Sequence, residues 1–211
     1  MDIAILLYPR FTALDAVGPY EVLVRLPGME LGFVAERPGP VTTDTGCLTI
    51  QVERSIADVT DAQVLVIPGG PGSDDLMHDG PLHDWIRSVH ETTRWTTTVC
   101  TGSLILASTG LLRDTPAVTH WLAMDRLGEL GAIPTAQRVV TSGRFATAAG
   151  VSAGVDLALT IAADLQGDEV AQMIQLGIEY DPQPPFASGS PETAPPEITA
   201  AMRQLSRHVM H

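Results

Sequence analysis

Cys100 is the residue of this chain whose surroundings point most directly to chemistry. It follows a β-branched run at residues 96–99 and precedes a small, apolar stretch at 103–107 that is typical of a helix. A cysteine at such a strand-to-helix turn lies at a helix N-terminus, where backbone N–H groups and the helix dipole favour the thiolate. A small residue just after it lets the chain turn tightly, as in a nucleophile elbow. The pattern predicts a nucleophilic thiolate; the alternative is a buried cysteine acting as a small hydrophobe.

A reactive sulfur also needs a group that exchanges protons and donors that hold negative charge. Gly69 and Gly70 follow a buried apolar run, and such a pair can turn its N–H groups toward an anion or form an ordinary turn. Asp15 lies just past the first apolar run, at residues 3–8. It is either a helix cap or a carboxyl in an apolar pocket, where a raised pKa would let it share a proton with Cys100.

His120 stands in the stretch Thr119-His120-Trp121, where it could hydrogen-bond the cysteine or be purely structural. The other histidines have no partner spacing, and CxxC and HExxH motifs are missing, so the sequence predicts no metal site. The glycine-rich stretch 69–72 lacks the endings of nucleotide-binding loops, and no cofactor is expected. The second cysteine, Cys47, lies in a probable strand segment and is predicted to be structural.

The elements that would position these residues alternate between strands and helices. Predicted strands are residues 3–8, 31–35, 48–52, 64–68, 96–99 and 118–119, with a hairpin formed by 139–141 and 145–148. Predicted helices are residues 14–26, 82–91, 121–130, 154–165, 168–178 and 195–208, and the Pro-rich stretch 181–196 is predicted to be an extended surface loop. This order predicts a single domain over residues 1–211, a three-layer α/β sandwich with a mainly parallel, flavodoxin-like sheet. Ligands in such folds bind at the carboxyl ends of the strands.

Composition narrows the classes of partner. The chain has 211 residues, 45% of them apolar, and a formal net charge of −13, which argues against binding to nucleic acid or anionic membranes. It contains no apolar run near the ~20 residues that a membrane helix needs, and Asp2 stands where a signal peptide would carry basic residues. Two cysteines do not make a disulfide framework, so we expect free thiols in the reduced cytoplasm.

Motifs spread almost from end to end carry a family resemblance. They are LDAVGP at 14–19, IPGG at 67–70, VCTGSL at 99–104, THW at 119–121, VSAGVD at 151–156, IEYDPQPPF at 178–186 and GSPETA at 189–194. Together they resemble the ThiJ/PfpI superfamily, which has the class I glutamine amidotransferase-like fold, and within it the isonitrile hydratase (isocyanide hydratase) branch. The strand-to-helix motif is shared across the superfamily, whereas the Pro-rich motif is narrower.

The resemblance implies a role for each matching residue. Cys100 would be the nucleophile, Asp15 the carboxylate beside it, and Thr101 would contribute its backbone N–H or its hydroxyl to the pocket. Gly70 would complete the anion-stabilising site, and His120 matches a histidine near the nucleophile in some members. Two patterns of other branches are absent: the intracellular proteases have a histidine where this chain has Thr101, and the His-x-Glu of the amidotransferases does not follow Cys100.

The activity implied by the resemblance is hydration of an isonitrile to an N-substituted formamide through a covalent thioimidate on Cys100. The substrate would be a small molecule, and the protein would be a homodimer. One alternative is a glyoxalase- or deglycase-like enzyme of the same fold, although such enzymes usually carry a glutamate where this chain has Asp15. Another is a redox or small-molecule sensor related to the N-terminal domain of AraC-like regulators. A chain that stops at His211 with this negative charge is expected to make no contact with DNA.

Overall fold

The computed structural model describes the chain through residue 209, with side chains through residue 205. The strands in chain order are β1 (Ile3–Leu6), β2 (Leu31–Ala35), β3 (Gly39–Thr42), β4 (Thr49–Val52), β5 (Arg54–Ser55), β6 (Val64–Ile67), β7 (Trp95–Val99), β8 (Pro116–Ala117), β9 (Ile133–Pro134), β10 (Val139–Ser142) and β11 (Phe145–Ala148). The helices are α1 (Ala13–Leu23), α2 (Pro81–Thr92), α3 (Gly102–Ser108), α4 (Met124–Glu129), α5 (Ala153–Gln166), α6 (Asp168–Gly177) and α7 (Pro196–Val209). Short 3₁₀ turns lie at Ile56–Asp58, Pro71–Leu76 and Trp121–Ala123.

A mainly parallel sheet forms the centre of the fold, as predicted. Its strand order is β10-β11-β7-β6-β1-β2-β5, and every neighbouring pair is parallel except the β10–β11 hairpin. Helices cover both faces: α1 packs against α5, and α3 packs against β6 and β7. The hairpin of β3 and β4 and the short pair β8–β9 lie outside this sheet.

The central strands are those whose residues suit burial on both faces. All residues of β1 and β6 are buried, which is what a continuous apolar run predicts for a strand covered by helices on each side. In β7 the buried residues include three consecutive threonines, 96–98, and each of their hydroxyls makes a hydrogen bond. Thr97 donates to the carbonyl of Leu65 at 3.0 Å, and Thr98 bonds Ser103 at 2.6 Å. Satisfied hydroxyls let a polar sequence fill a core strand without a desolvation penalty.

The structure corrects several local predictions. The short strand predicted at 118–119 is wrong, because β8 lies two residues earlier; the helix predicted at 121–130 is a 3₁₀ turn followed by α4. Sequence pattern also missed β3, β5 and β9. Two residues, as in β5 and β9, carry no period, and β3 begins with a glycine and a proline, which are unfavourable in strands. Cys47 lies in an exposed turn between β3 and β4, so its assignment to a strand is wrong. The stretch 180–195 has no helix or strand, as predicted, and residues 210 and 211 of the predicted domain lie outside the described part of the chain.

Strand register brings three connections together at one edge of the sheet. Ile67 of β6 pairs with Thr98 of β7, and Val99 of β7 pairs with Ala148 of β11. Because these parallel strands end at the same level, the segments that leave them lie side by side. The glycine pair, the cysteine and the loop before α5 therefore meet at the carboxyl edge, where ligands of α/β sheets bind.

Candidate active site

Cys100 connects β7 to α3 in a strained conformation that its neighbours hold in place. Its φ is 56°, in the left-handed region that residues with a Cβ rarely adopt. Its N–H donates to the carbonyls of Ala148 and Ala149 at 3.1 and 2.9 Å, and its own carbonyl accepts from the hydroxyl of Thr119 at 2.8 Å. The residue is only 6% exposed. Its backbone is thus fixed from two separate connections, and its sulfur is shielded from bulk water.

Asp15 lies in the first turn of α1 and is completely buried. The N-cap of that helix is Thr12, so the alternative that Asp15 is the cap is wrong. Its Oδ2 accepts the Gly69 N–H at 3.0 Å, while no residue in the described part of the chain donates a hydrogen bond to the buried Oδ1. Burial raises the pKa of this carboxyl from its ordinary value of 3.8 to about 7, against the opposing effect of the Gly69 N–H. Asp15 can therefore give and take a proton near neutral pH.

The thiol of Cys100 and the carboxyl of Asp15 are coupled. Burial raises the pKa of Cys100 well above its ordinary value, and the neighbouring charge of Asp15 raises it further. The N–H groups of Thr101 and Val151 approach the sulfur and lower its pKa, but by less. Burial and the charge of Asp15 therefore oppose the N–H groups in setting the pKa of Cys100, and the thiolate expected from the sequence stays a prediction.

The glycine pair holds the site together through donors that are already engaged. The N–H of Gly69 donates to Asp15, and the N–H of Gly70 donates to Thr101 Oγ1 at 2.9 Å. That hydroxyl also accepts from Ser73 Oγ at 3.1 Å. A Cβ on Gly69 would lie 2.5 Å from the Thr101 nitrogen, so only glycine fits there. This differs from the expectation of free N–H groups, and direct anion stabilisation by Gly70 stays a prediction.

His120 lies near the loop before α5, with no hydrogen bond to Cys100 among the described contacts. Its Nδ1 accepts the N–H of Leu122 at 3.3 Å, so in the neutral ring the proton is on Nε2. Burial lowers its pKa, which keeps the ring neutral near pH 7. A Cβ built on Gly150 would be 3.1 Å from the ring, which locates the imidazole beside the segment carrying Val151.

Sequence reasoning missed two residues that contact Cys100. Thr119 binds its carbonyl and the Val151 N–H binds its sulfur. Thr119 belongs to the motif THW, in which only the histidine has a side chain typical of catalysis. Val151 belongs to the motif VSAGVD and acts through its backbone N–H, which residue type does not reveal. Backbone contacts depend on strand register, which no local pattern reports.

A cavity of about 280 Å³ opens beside this cluster, at the carboxyl ends of β1 and β2. Its lining includes Leu6, Tyr8, Arg37 and Val41, and does not include Cys100. Tyr8 connects the two regions: its ring lines the cavity, while its hydroxyl donates to the carbonyl of Pro68 at 2.8 Å. Burial raises the pKa of Tyr8, and the charge of Asp15 adds to that effect. Tyr8 therefore lines the cavity and is also hydrogen-bonded to the segment that carries Gly69.

The described part of the chain lacks the features of two other classes of site. Among residues 1–209, no three histidine, cysteine or acidic side chains come together as metal ligands would. In the same part of the chain, every helix is too short or too polar to cross a bilayer. What the cluster itself offers is a buried thiol, a carboxyl that titrates near pH 7 and two N–H groups at the sulfur. That set suits addition of the thiol to an uncharged electrophile, with the carboxyl moving the proton.

Comparison with known proteins gives this arrangement a context. The DJ-1/PfpI family matches residues 1–164. The isonitrile hydratase of Pseudomonas putida is 44% identical over 204 residues, which cover 97% of this chain and 89% of that protein. The crystal structure of a ThiJ/PfpI family protein from Pseudomonas syringae is 39% identical, with a TM-score of 0.94 over 98% of this chain and 86% of that one. An HTH-type transcriptional regulator of Mycobacterium tuberculosis is 42% identical over only 53 residues, which are 25% of this chain and 20% of that protein.

Proposed function

The chain belongs to the DJ-1/PfpI family, and we propose that it is a hydro-lyase that adds water to an isonitrile, R–NC, to give the N-substituted formamide R–NH–CHO. The observation that carries the proposal is the buried carboxyl of Asp15, with a pKa near 7, coupled to the thiol of Cys100. The likeness to the isonitrile hydratase of Pseudomonas putida over nearly the whole chain supports the choice of electrophile. Its substrate is a small molecule, and the reaction needs no change of oxidation state by the protein.

The first step adds the thiol across the terminal carbon of the isonitrile. Asp15 in its ionised form takes the proton of Cys100 while the sulfur attacks that carbon. The protonated carboxyl then delivers the proton to the same carbon, which leaves the thioimidate R–N=CH–S–Cys100. A carboxyl of ordinary pKa would be too weak a base to take the thiol proton, and almost none of it would be protonated at pH 7, whereas one with a pKa near 7 is present in both forms at neutral pH.

The second step releases the product with water. Asp15 takes a proton from water as the hydroxyl adds to the thioimidate carbon, and it passes that proton to the nitrogen. The resulting R–NH–CH(OH)–S–Cys100 collapses: its C–S bond breaks, the hydroxyl proton returns through Asp15 to the sulfur, and R–NH–CHO leaves. The sum of both steps is one isonitrile plus one water, and no amine leaving group has to be protonated.

The remaining residues hold charge and geometry in this scheme. The N–H groups of Thr101 and Val151 stabilise negative charge on the sulfur when it attacks and when it leaves. Gly70 acts through Thr101, whose hydroxyl accepts its N–H. His120, protonated on Nε2, is the donor we assign to the substrate side of the pocket. By family resemblance we also propose a homodimer that works in the cytoplasm, which sedimentation and fractionation would test.

The proposal is tested by supplying an aromatic isonitrile and, separately, methylglyoxal to the purified protein. We expect formamide to accumulate catalytically, and intact-mass spectra during turnover to show an adduct of one isonitrile on the peptide that contains Cys100. Turnover of methylglyoxal alone would replace the proposal with a glyoxalase-like activity. Loss of one thiol to peroxide with no turnover of either compound would instead favour a sensor, a reading that the buried, high-pKa thiol makes less suitable.

A further inference from the structure

The loop between β11 and α5 wraps around the nucleophile. The carbonyls of Ala148 and Ala149 accept the N–H of Cys100, and two residues later the N–H of Val151 reaches its sulfur. The position of this loop therefore decides how well a developing charge on the sulfur is stabilised. The residues that hold this loop take no part in the reaction steps proposed above.

A cluster of three side chains from distant parts of the sequence holds this loop. We call it the Asp156 cluster: Arg138, Asp156 and Tyr180. The carboxylate of Asp156, in the first turn of α5, accepts from Arg138 Nε and from the hydroxyl of Tyr180, the latter at 3.1 Å. The guanidinium of Arg138 also reaches Ser152 Oγ at 3.4 Å, and its carbonyl accepts the Ala149 N–H at 2.9 Å. Arg138 thus contacts the loop on both sides of Val151.

The cluster accounts for two motifs that the proposed chemistry leaves unexplained. Asp156 ends the motif VSAGVD, and Tyr180 stands in the motif IEYDPQPPF beyond α6. The side chains of Arg138 and Asp156 are partly exposed, and ion pairs of that kind contribute only about 0–1 kcal/mol to stability. Their convergence on one loop is therefore better explained by positioning than by stabilisation of the fold.

The other end of α5 carries a closely similar cluster far from the sulfur. Asp164 accepts from Arg94 Nε at 2.8 Å and from Trp95 Nε1 at 2.6 Å, so it too pairs an arginine with an aromatic donor. Trp95 begins β7 and Cys100 follows that strand, which separates them by about 16 Å at the usual rise per residue. Asp164 therefore serves as a matched control for an aspartate that ties α5 to the sheet.

We propose that the Asp156 cluster is a positioning device that holds the Val151 N–H against the sulfur of Cys100. The expected change in kcat rests on the proposed function. The expected change in alkylation of Cys100 rests only on the chemistry of its thiol. Loosening the loop lengthens the N–H contact to the sulfur. The charged forms of the sulfur then lose a donor, whereas substrate entry is unaffected. The loss should appear in kcat more than in KM.

The test compares Asp156→Asn with Asp164→Asn, both in a Cys47→Ser background so that only Cys100 reacts with iodoacetamide. We expect Asp156→Asn to lower kcat for an aromatic isonitrile by about tenfold with KM within about twofold. Its alkylation profile should move to higher pH, because the thiolate has lost a donor. Asp164→Asn should leave kcat and the alkylation profile unchanged. Equal kcat and equal alkylation profiles in the two variants would overturn the proposal.

A milder variant covers the case in which Asp156→Asn does not fold. Tyr180→Phe removes one hydroxyl, and we expect a kcat reduced by about threefold with the same shift of the alkylation profile. An unchanged profile in a folded Tyr180→Phe protein would count against the cluster in that case. The alkylation arm needs no isonitrile, so it separates failure of the positioning role from failure of the proposed reaction.

Discussion

The two edges of the central sheet use the same residue type in opposite ways. Asp2, at the amino end of β1, accepts from the Glu30 N–H at 2.8 Å and from Gln63 Nε2 at 3.0 Å, and the Glu30 hydrogen bond lowers its pKa. Asp15, beyond the carboxyl end of that strand, is fully buried with one N–H donor, and burial raises its pKa to about 7. The first carboxylate is satisfied as an ion, whereas the second is held ready to change its protonation state.

The contrast extends from carboxylates to the backbone. Cys100 sits at the carboxyl edge with φ 56°, and the unpartnered oxygen of Asp15 lies at the same edge. At the amino edge, Asp164 pairs with Arg94 and Trp95 in ordinary geometry. Strain and incomplete hydrogen bonding reduce stability, and they persist where the surrounding structure enforces them. The comparison indicates that the amino edge stabilises the fold while the carboxyl edge is organised for reaction.

The largest difference in rate should be between substitutions of the two cysteines, Cys100 at the carboxyl edge and Cys47 in an exposed turn. Replacing Cys100 by Ala removes the attacking atom, and we expect isonitrile hydration to fall by on the order of 10³-fold or more. Replacing Cys47 by Ser, in the exposed turn between β3 and β4, should leave the rate unchanged. Formamide production by both purified variants measures this. Substantial turnover by Cys100→Ala would show that the reaction does not take place at the carboxyl edge.

The next largest difference in rate should be between substitutions of Asp15 and Asp2, the two aspartates that flank β1. Asp15→Asn keeps an oxygen for the Gly69 N–H but cannot carry a proton between sulfur, carbon and water, so we expect kcat to fall by on the order of 10²-fold. Asp2→Asn should stay within about twofold of the parent protein, because its hydrogen bonds support only the amino edge. Steady-state kinetics of the two variants at pH 7 tests the comparison. A normal rate in Asp15→Asn would show that Asp15 is not the acid–base group, while Cys100 could still be the nucleophile.

The last comparison is of stability, and the sign of each pKa shift separates the two edges by pH. Because folding raises the pKa of Asp15 from 3.8 to about 7, its contribution is fully present below pH 3.8 and is lost as pH rises to about 7. Asp15→Asn should remove this loss, which is on the order of 4 kcal/mol. Asp2 has a lowered pKa, so its contribution is present above pH 3.8 and is lost as pH falls through its folded value.

Urea denaturation between pH 3 and 8 distinguishes these two windows. Relative to the parent protein, Asp15→Asn should gain stability between pH 4 and 7, and Asp2→Asn should flatten only the acid limb. If both variants changed stability in the same pH range, the two carboxylates would not have the opposite environments described above.

Sequence patterns predicted the main architecture because the central strands are continuous apolar runs and the helices are long enough to show a period. The runs that form β1 and β6 are apolar throughout, and the order of strands and helices leads to a parallel sheet. Short pairs such as β8–β9 were missed, since two residues carry no period. For the site, the turn at Cys100 and the acidic residue after the first strand were both visible in the residues themselves.

The sequence by itself determined which residues meet at the carboxyl edge and which family the chain resembles, because residue type and strand order are local or sequential properties. Only the tertiary structure decided their protonation and their partners. The hydrogen bond between Gly69 and Asp15 joins residues 54 positions apart, and Val151 comes from the far side of β11. Burial and strand register set such contacts, and burial raises the pKa of both Asp15 and Cys100, an effect that no local sequence pattern reports.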